Sequence, residues 1–151
     1  SSMGGWIALL VARAMADRVA GLVGIAAAPD FTEDSMWASF TEAQRVEMAA
    51  TGQVALPSEY SEAPYVITRR LIEDGRQHLV LRAPLDLPFP VRLLQGTADV
   101  DVPSAVALRL LDHAAGGDIR LTLVKGADHR FSTPDCLALM TGAVEEVLAR
   151  V

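Results

Sequence analysis

The chain has 151 residues, a mass of 16.1 kDa and a net charge of −6, which is room for one domain. With 51% hydrophobic and 21% charged residues it can bury a core and is not a disordered chain. Its acidic balance argues against a nucleic-acid partner, and no apolar run reaches the roughly 18 residues of a membrane span. The one cysteine, Cys136, excludes an internal disulfide and any multi-cysteine metal site, and it fits a reducing, cytoplasmic compartment.

Apolar periodicity predicts helices that alternate with strands. In chain order, we expect a helix over 3–17, a strand over 19–28, helical pieces around 41–51, a strand over 91–94, a helix over 103–115, a strand over 119–124 and a helix over 134–151. The strands 19–28 and 91–94 are apolar on both faces, which is typical of buried parallel strands. The last helix is expected to bury Leu137, Met140, Val144, Val147 and Leu148. Alternating strands and helices predict an α/β fold with a parallel sheet flanked by helices.

The start of the chain is unusual, because the apolar helix at 3–17 begins with no strand before it to cover. The chain also opens on Ser1 without an initiator methionine. We therefore expect residues to be missing upstream, so that the N-terminal strands of the sheet are absent. On this interpretation, residues 1–151 alone are inactive and are either poorly soluble or dimeric, and the sequence leaves the native oligomeric state unknown.

Residues 30–88 differ from the rest, since proline-broken, charged segments replace the regular alternation. We interpret 30–88 as a cap or lid inserted into a single partial domain that covers 1–151. Five of the eight aromatic residues lie within 31–65. Four of them are candidates for lining an acyl pocket: Trp37, Phe40, Tyr60 and Tyr65. The alternative is that such aromatics form the core of the cap itself.

Three polar residues stand where predicted strands end. Ser2 opens the first helix, Asp99 follows the strand at 91–94, and His129 follows the strand at 119–124. The carboxyl ends of parallel strands meet at one sheet edge, so the three side chains are expected to converge there. A serine hydroxyl needs an imidazole to remove its proton, and the imidazole needs a carboxylate to fix its tautomer. The chain order Ser, Asp, His is that of α/β-hydrolases.

Each of these residues has a plainer interpretation as well. Ser2-Met3-Gly4 matches half of a Gly-x-Ser-x-Gly elbow, and such residues are also common in flexible tails. Asp99 could be a turn residue, with Asp101 as its rival for the acid, and His129 could be a surface residue. If Ser2 is the nucleophile, the backbone N–H of Met3 is a candidate oxyanion donor. No spacing of His, Asp and Glu suggests a metal site.

Several segments carry a resemblance to a known family. They are Ser-Ser-Met-Gly-Gly-Trp at 1–6, Leu-Val-Gly-Ile-Ala at 22–26, Leu-Pro-Ser-Glu-Tyr-Ser at 56–61, Val-Arg-Leu-Leu-Gln-Gly at 91–96 and Asp-His-Arg at 128–130. With these, the sequence resembles the C-terminal part of an α/β-hydrolase, and more narrowly the α/β-hydrolase domain-containing protein ten family. That family includes an acyl-protein thioesterase that also hydrolyses acyl glucuronides.

The resemblance implies roles for the same three residues: Ser2 as nucleophile, Asp99 as acid and His129 as base. It also implies that the second oxyanion donor lies upstream of Ser1. Two positions depart from the family pattern. Gln95 stands where histidine is common before the glycine, and Ser104 stands where tryptophan is often found.

The function expected from the sequence is a serine hydrolase that cleaves carboxylic esters or thioesters through an acyl-enzyme. Its substrate would be a small molecule or an acyl-protein, and no cofactor or metal is expected. One alternative is a serine peptidase of the prolyl-oligopeptidase type, which carries similar loops. Another is a non-catalytic binding protein on a hydrolase scaffold.

Overall fold

A computed structural model describes residues 1–57 and 62–151 of the chain. The chain divides into two compact units, one of Ser1–Pro29 with Val80–Val151 and the other of Asp30–Leu79. The predicted cap covered 30–88, and residues 80–88 lie in the first unit. The helices are α1 (Ser2–Ala14), α2 (Glu42–Thr51), α3 (Arg69–Gln77), α4 (Ser104–His113) and α5 (Pro134–Leu148). The strands are β1 (Leu22–Ile25), β2 (Gln53–Leu56), β3 (Tyr65–Thr68), β4 (Leu85–Asp86), β5 (Val91–Gly96), β6 (Ala114–Ala115) and β7 (Ile119–Val124).

The first unit is built on a parallel sheet of three strands in the order β1-β5-β7. The register places Leu94 beside Ile25 on one side and beside Thr122 on the other. All six residues of the middle strand β5 are buried, as expected for a strand with neighbours on both edges. β1 is shorter than the predicted strand at 19–28 and is only half-buried. The predicted parallel α/β arrangement is confirmed.

Helices α1, α4 and α5 pack against this sheet. α1 buries Trp6, Leu9 and Ala12, which recur every three residues along one stripe of the helix. The face predicted for α5 is largely wrong, because Leu137, Val144 and Leu148 are exposed. The helix instead turns Cys136, Met140, Ala143 and Val147 toward the core, at spacings of three and four. Small residues on this stripe let the helix approach the sheet closely, and Cys136, which is 2% exposed, is one of them.

The second unit contains α2, an antiparallel β2–β3 hairpin and α3. Its core consists of Phe40, Met48, Val54, Ile67 and Ile72. Gly52, with φ of 80°, ends α2 in the left-handed conformation that glycine adopts without strain and so starts β2. The sequence predicted irregular segments here, and the hairpin was missed because each strand has only four residues. In the described part of the chain, no helix is both long enough and apolar enough to cross a membrane.

Candidate active site

The first helix begins on a strained turn that presents the Ser2 hydroxyl. Ser2 has φ of 49°, a left-handed conformation that costs a residue other than glycine about 1–3 kcal/mol. Two backbone bonds fix this turn: Ala28 N–H donates to Ser2 O at 3.1 Å, and Gly5 N–H donates to Ser1 O at 3.1 Å. The N–H groups of the first turn of a helix have no acceptor within the helix, and Met3 N–H is one of them. The turn therefore places the Ser2 hydroxyl beside amide donors that have no acceptor within the helix.

Gly5, rather than Gly4, is the glycine that close packing requires at this turn. A Cβ on Gly5 would lie 2.6 Å from Ala27 Cβ and 2.9 Å from Ala27 Cα, closer than carbon atoms approach. No atom of the described residues lies within 4 Å of a Cβ built on Gly4. The contact of Gly5 with Ala27 sets α1 against the segment after β1 and so positions Ser2.

Asp99 lies in the loop that follows β5, and its side chain is completely buried. Its carboxylate accepts four hydrogen bonds. Oδ1 accepts from the backbone N–H groups of Asp101 at 2.9 Å and Val102 at 2.8 Å. Oδ2 accepts from Gln95 Nε2 at 3.0 Å and from His129 Nδ1 at 2.9 Å. A buried carboxylate needs such partners to replace the water that it has lost.

The loop that carries His129 is bonded directly to the loop that carries Asp99. Thr97 N–H donates to Val124 O at 2.9 Å, Ala98 N–H donates to Ala127 O at 3.0 Å, and Gly126 N–H donates to the Thr97 hydroxyl at 2.9 Å. These bonds hold the ends of β5 and β7 together beyond the last paired residues. The relative position of the carboxylate and the imidazole is therefore set by backbone rather than by the two side chains alone.

Ser2, His129 and Asp99 converge although Ser2 and Asp99 are far apart in sequence. His129 Nε2 lies 3.1 Å from Ser2 Oγ, and His129 Nδ1 lies 2.9 Å from Asp99 Oδ2. With a proton on Nδ1, the imidazole donates to the carboxylate and its Nε2 can accept the serine proton. The imidazole is 21% exposed and Ser2 is half-buried, so a substrate can reach both. Hydroxyl, imidazole and carboxylate stand in the order that nucleophilic catalysis requires.

Asp101, the rival for the acid, is exposed, and its backbone N–H donates to Asp99. Within the described residues, Asp99, Asp101 and His129 form the one group whose ligand atoms lie close enough, within 4.8 Å of one another, to hold a metal ion. Asp99 Oδ2 and His129 Nδ1 already bond to each other. The pair therefore has the geometry of a carboxylate that orients an imidazole.

The aromatic candidates lie in the second unit. Phe40 is 5% exposed in the core of that unit, and Trp37 packs on it with ring centroids 5.7 Å apart, which favours the alternative that they form the cap's own core. Trp37 also lies under two guanidinium groups, Arg76 at 4.9 Å and Arg45 at 5.4 Å from the ring centroid. Tyr65, on β3, is half-exposed. Tyr60 lies outside the described residues.

A second polar cluster, around the buried Arg92, lies near the amino end of β5. Arg92, 4% exposed, bonds Asp118 Oδ1 at 2.9 Å and Glu146 Oε1 at 2.8 Å. Arg120 and Arg150 contact the same two acids. The hydrogen bonds from Arg92 lower the pKa of both Asp118 and Glu146, and the bonds to Glu146 and Asp118 raise the pKa of Arg92 further above its usual range. This cluster was not predicted from the sequence, because an arginine within an otherwise apolar strand does not indicate which distant acids it will bond.

The parallel sheet and the Ser2–His129–Asp99 site define an α/β-hydrolase fold, of which the chain represents the C-terminal part. A putative hydrolase from Agrobacterium vitis is 42% identical with a TM-score of 0.92, covering 97% of this chain and 59% of that one. Mouse alpha/beta hydrolase domain-containing protein 10 is 30% identical with a TM-score of 0.87, covering 99% of this chain and 60% of that one. A monoacylglycerol lipase of Paleococcus ferrophilus, 19% identical with a TM-score of 0.65, shares the fold.

The chain is also similar to curated proteins over its whole length. The mitochondrial palmitoyl-protein thioesterase ABHD10 of rat is 32% identical over 100% of this chain and 51% of the relative, and the human protein is 28% identical over 100% and 49%. The chain thus spans about half the length of the curated relatives it matches. No family profile matches it. The resemblance seen in the sequence is confirmed.

Proposed function

We propose that the protein carrying this chain is a serine hydrolase that cleaves carboxylic esters or thioesters through an acyl-enzyme. The observation that carries the proposal is the pair of contacts made by His129, 3.1 Å to Ser2 Oγ and 2.9 Å to Asp99 Oδ2. The names of the relatives, which are thioesterases and a hydrolase, support the same class of reaction. In this proposal Ser2 is the nucleophile, His129 the base and Asp99 the acid of a catalytic triad.

The geometry supports the following steps. His129 Nε2 removes the Ser2 proton while Oγ attacks the carbonyl carbon, and the oxygen of that carbonyl becomes an oxyanion. Met3 N–H, at the positive end of α1, donates to this oxyanion. The tetrahedral centre then collapses, His129 gives its proton to the departing alcohol or thiol, and the acyl group stays on Ser2. A water molecule, activated by the same imidazole, attacks the ester and releases the acid.

The proposed substrate is a small-molecule or acyl-protein ester or thioester, because curated relatives are named palmitoyl-protein thioesterases. Of the aromatic residues that the sequence nominates for an acyl pocket, Tyr65 exposes the most surface in the described residues, whereas Phe40 is buried in the core of its own unit. A cytoplasmic location is the expectation from the sequence, whereas the curated relatives are named as mitochondrial. The compartment stays a prediction that localisation of the tagged protein tests.

The test of the proposed function uses the protein in its full natural length. A fluorophosphonate probe should label Ser2 covalently, as located by mass spectrometry of the peptide. Ser2→Ala should abolish labelling and lower hydrolysis of p-nitrophenyl butyrate and of a palmitoyl thioester by a factor of about 10⁵ or more, because the nucleophile is lost. Ser1→Ala, the neighbouring serine, is the matched control and should keep both. Wild-type rates in Ser2→Ala would place the nucleophile elsewhere.

A further inference from the structure

Gln95 is a buried polar side chain near the end of β5 that the triad chemistry does not use. It is completely buried, in a strand whose residues are otherwise apolar apart from Arg92 and the final glycine. A glutamine in such a place needs a partner for each polar atom. What its amide contacts therefore indicates why the position is polar.

The amide of Gln95 faces three acceptors. Nε2 lies 3.0 Å from Asp99 Oδ2, 2.9 Å from Val102 O and 3.1 Å from Gly96 O, while Oε1 has no partner among the described residues. Because all three neighbours are acceptors, the nitrogen must face them, and a flipped amide would set its oxygen against the carboxylate. In this orientation Gln95 Nε2 donates to Asp99, while Gln95 Oε1 has no partner among the described residues.

The N–H of Gln95 donates to the carboxylate oxygen of Asp99 that also accepts from the imidazole of His129. Backbone N–H groups hold Oδ1 of Asp99, and the torsion about the Cβ–Cγ bond of an aspartate is broad. Two bonds at Oδ1 alone therefore leave the plane of the carboxylate free to turn. Gln95 Nε2 fixes Oδ2, the same atom that accepts from His129 Nδ1.

We propose that Gln95 is a positioning residue: its N–H locks the plane of the Asp99 carboxylate so that His129 stays aligned with Ser2. The inference rests on the proposed function. Among the described residues no hydrogen bond joins Gln95 to Ser2 or His129, and Gln95 is buried, so it acts through Asp99 rather than on the substrate. Loss of the donor should lower kcat by roughly 10- to 100-fold and leave KM unchanged, since displacing a reacting group by about 1 Å lowers the rate by that order.

The test compares substitutions at position 95 in the full-length protein, with kcat and KM measured on p-nitrophenyl butyrate. Gln95→Met keeps the length but has no donor, whereas Gln95→His keeps an N–H in a similar volume. We expect Gln95→Met to lose 10- to 100-fold in kcat with KM within about twofold, and Gln95→His to stay within about threefold of the wild type. Gln95→Asn, whose amide is one methylene too short to reach Oδ2, is the second variant if Gln95→Met does not fold, and it should lose rate similarly.

A double-mutant cycle with Asp99→Asn separates positioning from a merely structural role. If Gln95 acts through the carboxylate, Gln95→Met should cost less than about threefold once that carboxylate is gone. An equal loss in both backgrounds, or equal rates for Gln95→Met and Gln95→His, would overturn the inference and leave the proposed function standing. A wild type without Ser2-dependent turnover would overturn the proposed function and the inference together.

Discussion

Polar clusters lie near both ends of β5, and each contains one charged side chain that is at most 5% exposed, Arg92 at the amino end and Asp99 at the carboxyl end. At the amino end, Arg92 is held between Asp118 and Glu146, and each of those acids contacts further arginines. At the carboxyl end, the one carboxylate of Asp99 faces the imidazole of His129. In both clusters the buried charged group is bonded to polar partners, but the partners differ: carboxylates surround Arg92, whereas an imidazole faces Asp99.

The difference lies in which groups can give up a proton. An arginine stays charged in a protein, and the paired acids have lowered pKa values because Arg92 bonds to them, so the amino-end cluster stays ionised near neutral pH. It can stabilise the fold but moves no proton. At the other end, an imidazole between a hydroxyl and a carboxylate can accept and return one. Substitutions at the amino end should therefore change stability, and substitutions at the carboxyl end should change the rate of hydrolysis.

Among substitutions at the two ends of β5, the largest effect is expected for Asp99→Asn. The backbone N–H groups that bond Oδ1 keep the amide oxygen of Asn there, so its NH2 group faces His129 Nδ1 and cannot accept from it. The imidazole therefore loses the tautomer and orientation that expose Nε2 to Ser2. We expect kcat for ester hydrolysis to fall by about 10³–10⁴. Asp101→Asn is the matched control, because Asp101 is exposed and its backbone rather than its carboxylate bonds Asp99. Its kcat should stay within about threefold, and a larger loss for Asp101→Asn than for Asp99→Asn would reverse the assignment.

Most of the carboxyl-end cluster could be predicted from the sequence, because the sequence pattern shows where the strands end. The predicted strands 91–94 and 119–124 are followed by Asp99 and His129, and the carboxyl ends of neighbouring parallel strands lie at the same edge of a sheet, so the two residues are expected to meet there. The contact of Ser2 with His129 follows in the same way. Sequence pattern and general topology are sufficient for these three residues because one begins a predicted helix and the other two follow predicted strands.

The rest could not be predicted, because it depends on contacts between distant segments. The need for glycine at position 5 comes from Ala27, and the partner of Gln95 comes from the conformation of the next loop. The α5 face was mistaken because large apolar side chains were assumed to point inward, whereas smaller ones on the neighbouring stripe allow closer packing. The two-residue strand β6 forms by pairing with β4, and the two alanines of β6 do not by themselves predict a strand.

An intermediate effect is expected where α1 meets the segment after β1. Gly5→Ala places a methyl group 2.6 Å from Ala27 Cβ, so α1 must shift and carry Ser2 with it. We expect a loss of about 1–3 kcal/mol in the free energy of unfolding and up to roughly a hundredfold in kcat. Gly142→Ala, in α5, has open space in the described residues and should gain up to about 1 kcal/mol with no change in kcat. Denaturant unfolding and ester hydrolysis measure both, and equal behaviour of the two variants would refute the packing argument.

The smallest effect, and one on stability alone, is expected at the amino end of β5. Glu146→Gln removes one of the two acids bonded to Arg92, while the adjacent Glu145→Gln removes an exposed acid of the same helix that is not part of the cluster as described. At pH 7 the first should lower the melting temperature and the second should not, and both should keep the wild-type kcat because Arg92 lies away from Ser2 and His129. A fall in kcat for Glu146→Gln alone would couple the two ends of the strand and break the comparison.

The pH dependence of that difference checks its cause. Folding lowers the pKa of Glu146, mainly because Arg92 bonds to it, so the stabilisation is fully present above the ordinary value of 4.5 and is lost as the pH falls through the folded value. The gap in melting temperature between the wild type and Glu146→Gln should therefore be constant from pH 7 to about pH 5 and should shrink below it, because acid protonates the wild-type carboxyl as well. Melting curves at pH 7, 5 and 3 measure the gap. If it stays unchanged at pH 3, the substitution acts through packing of α5 rather than through the charge on Glu146.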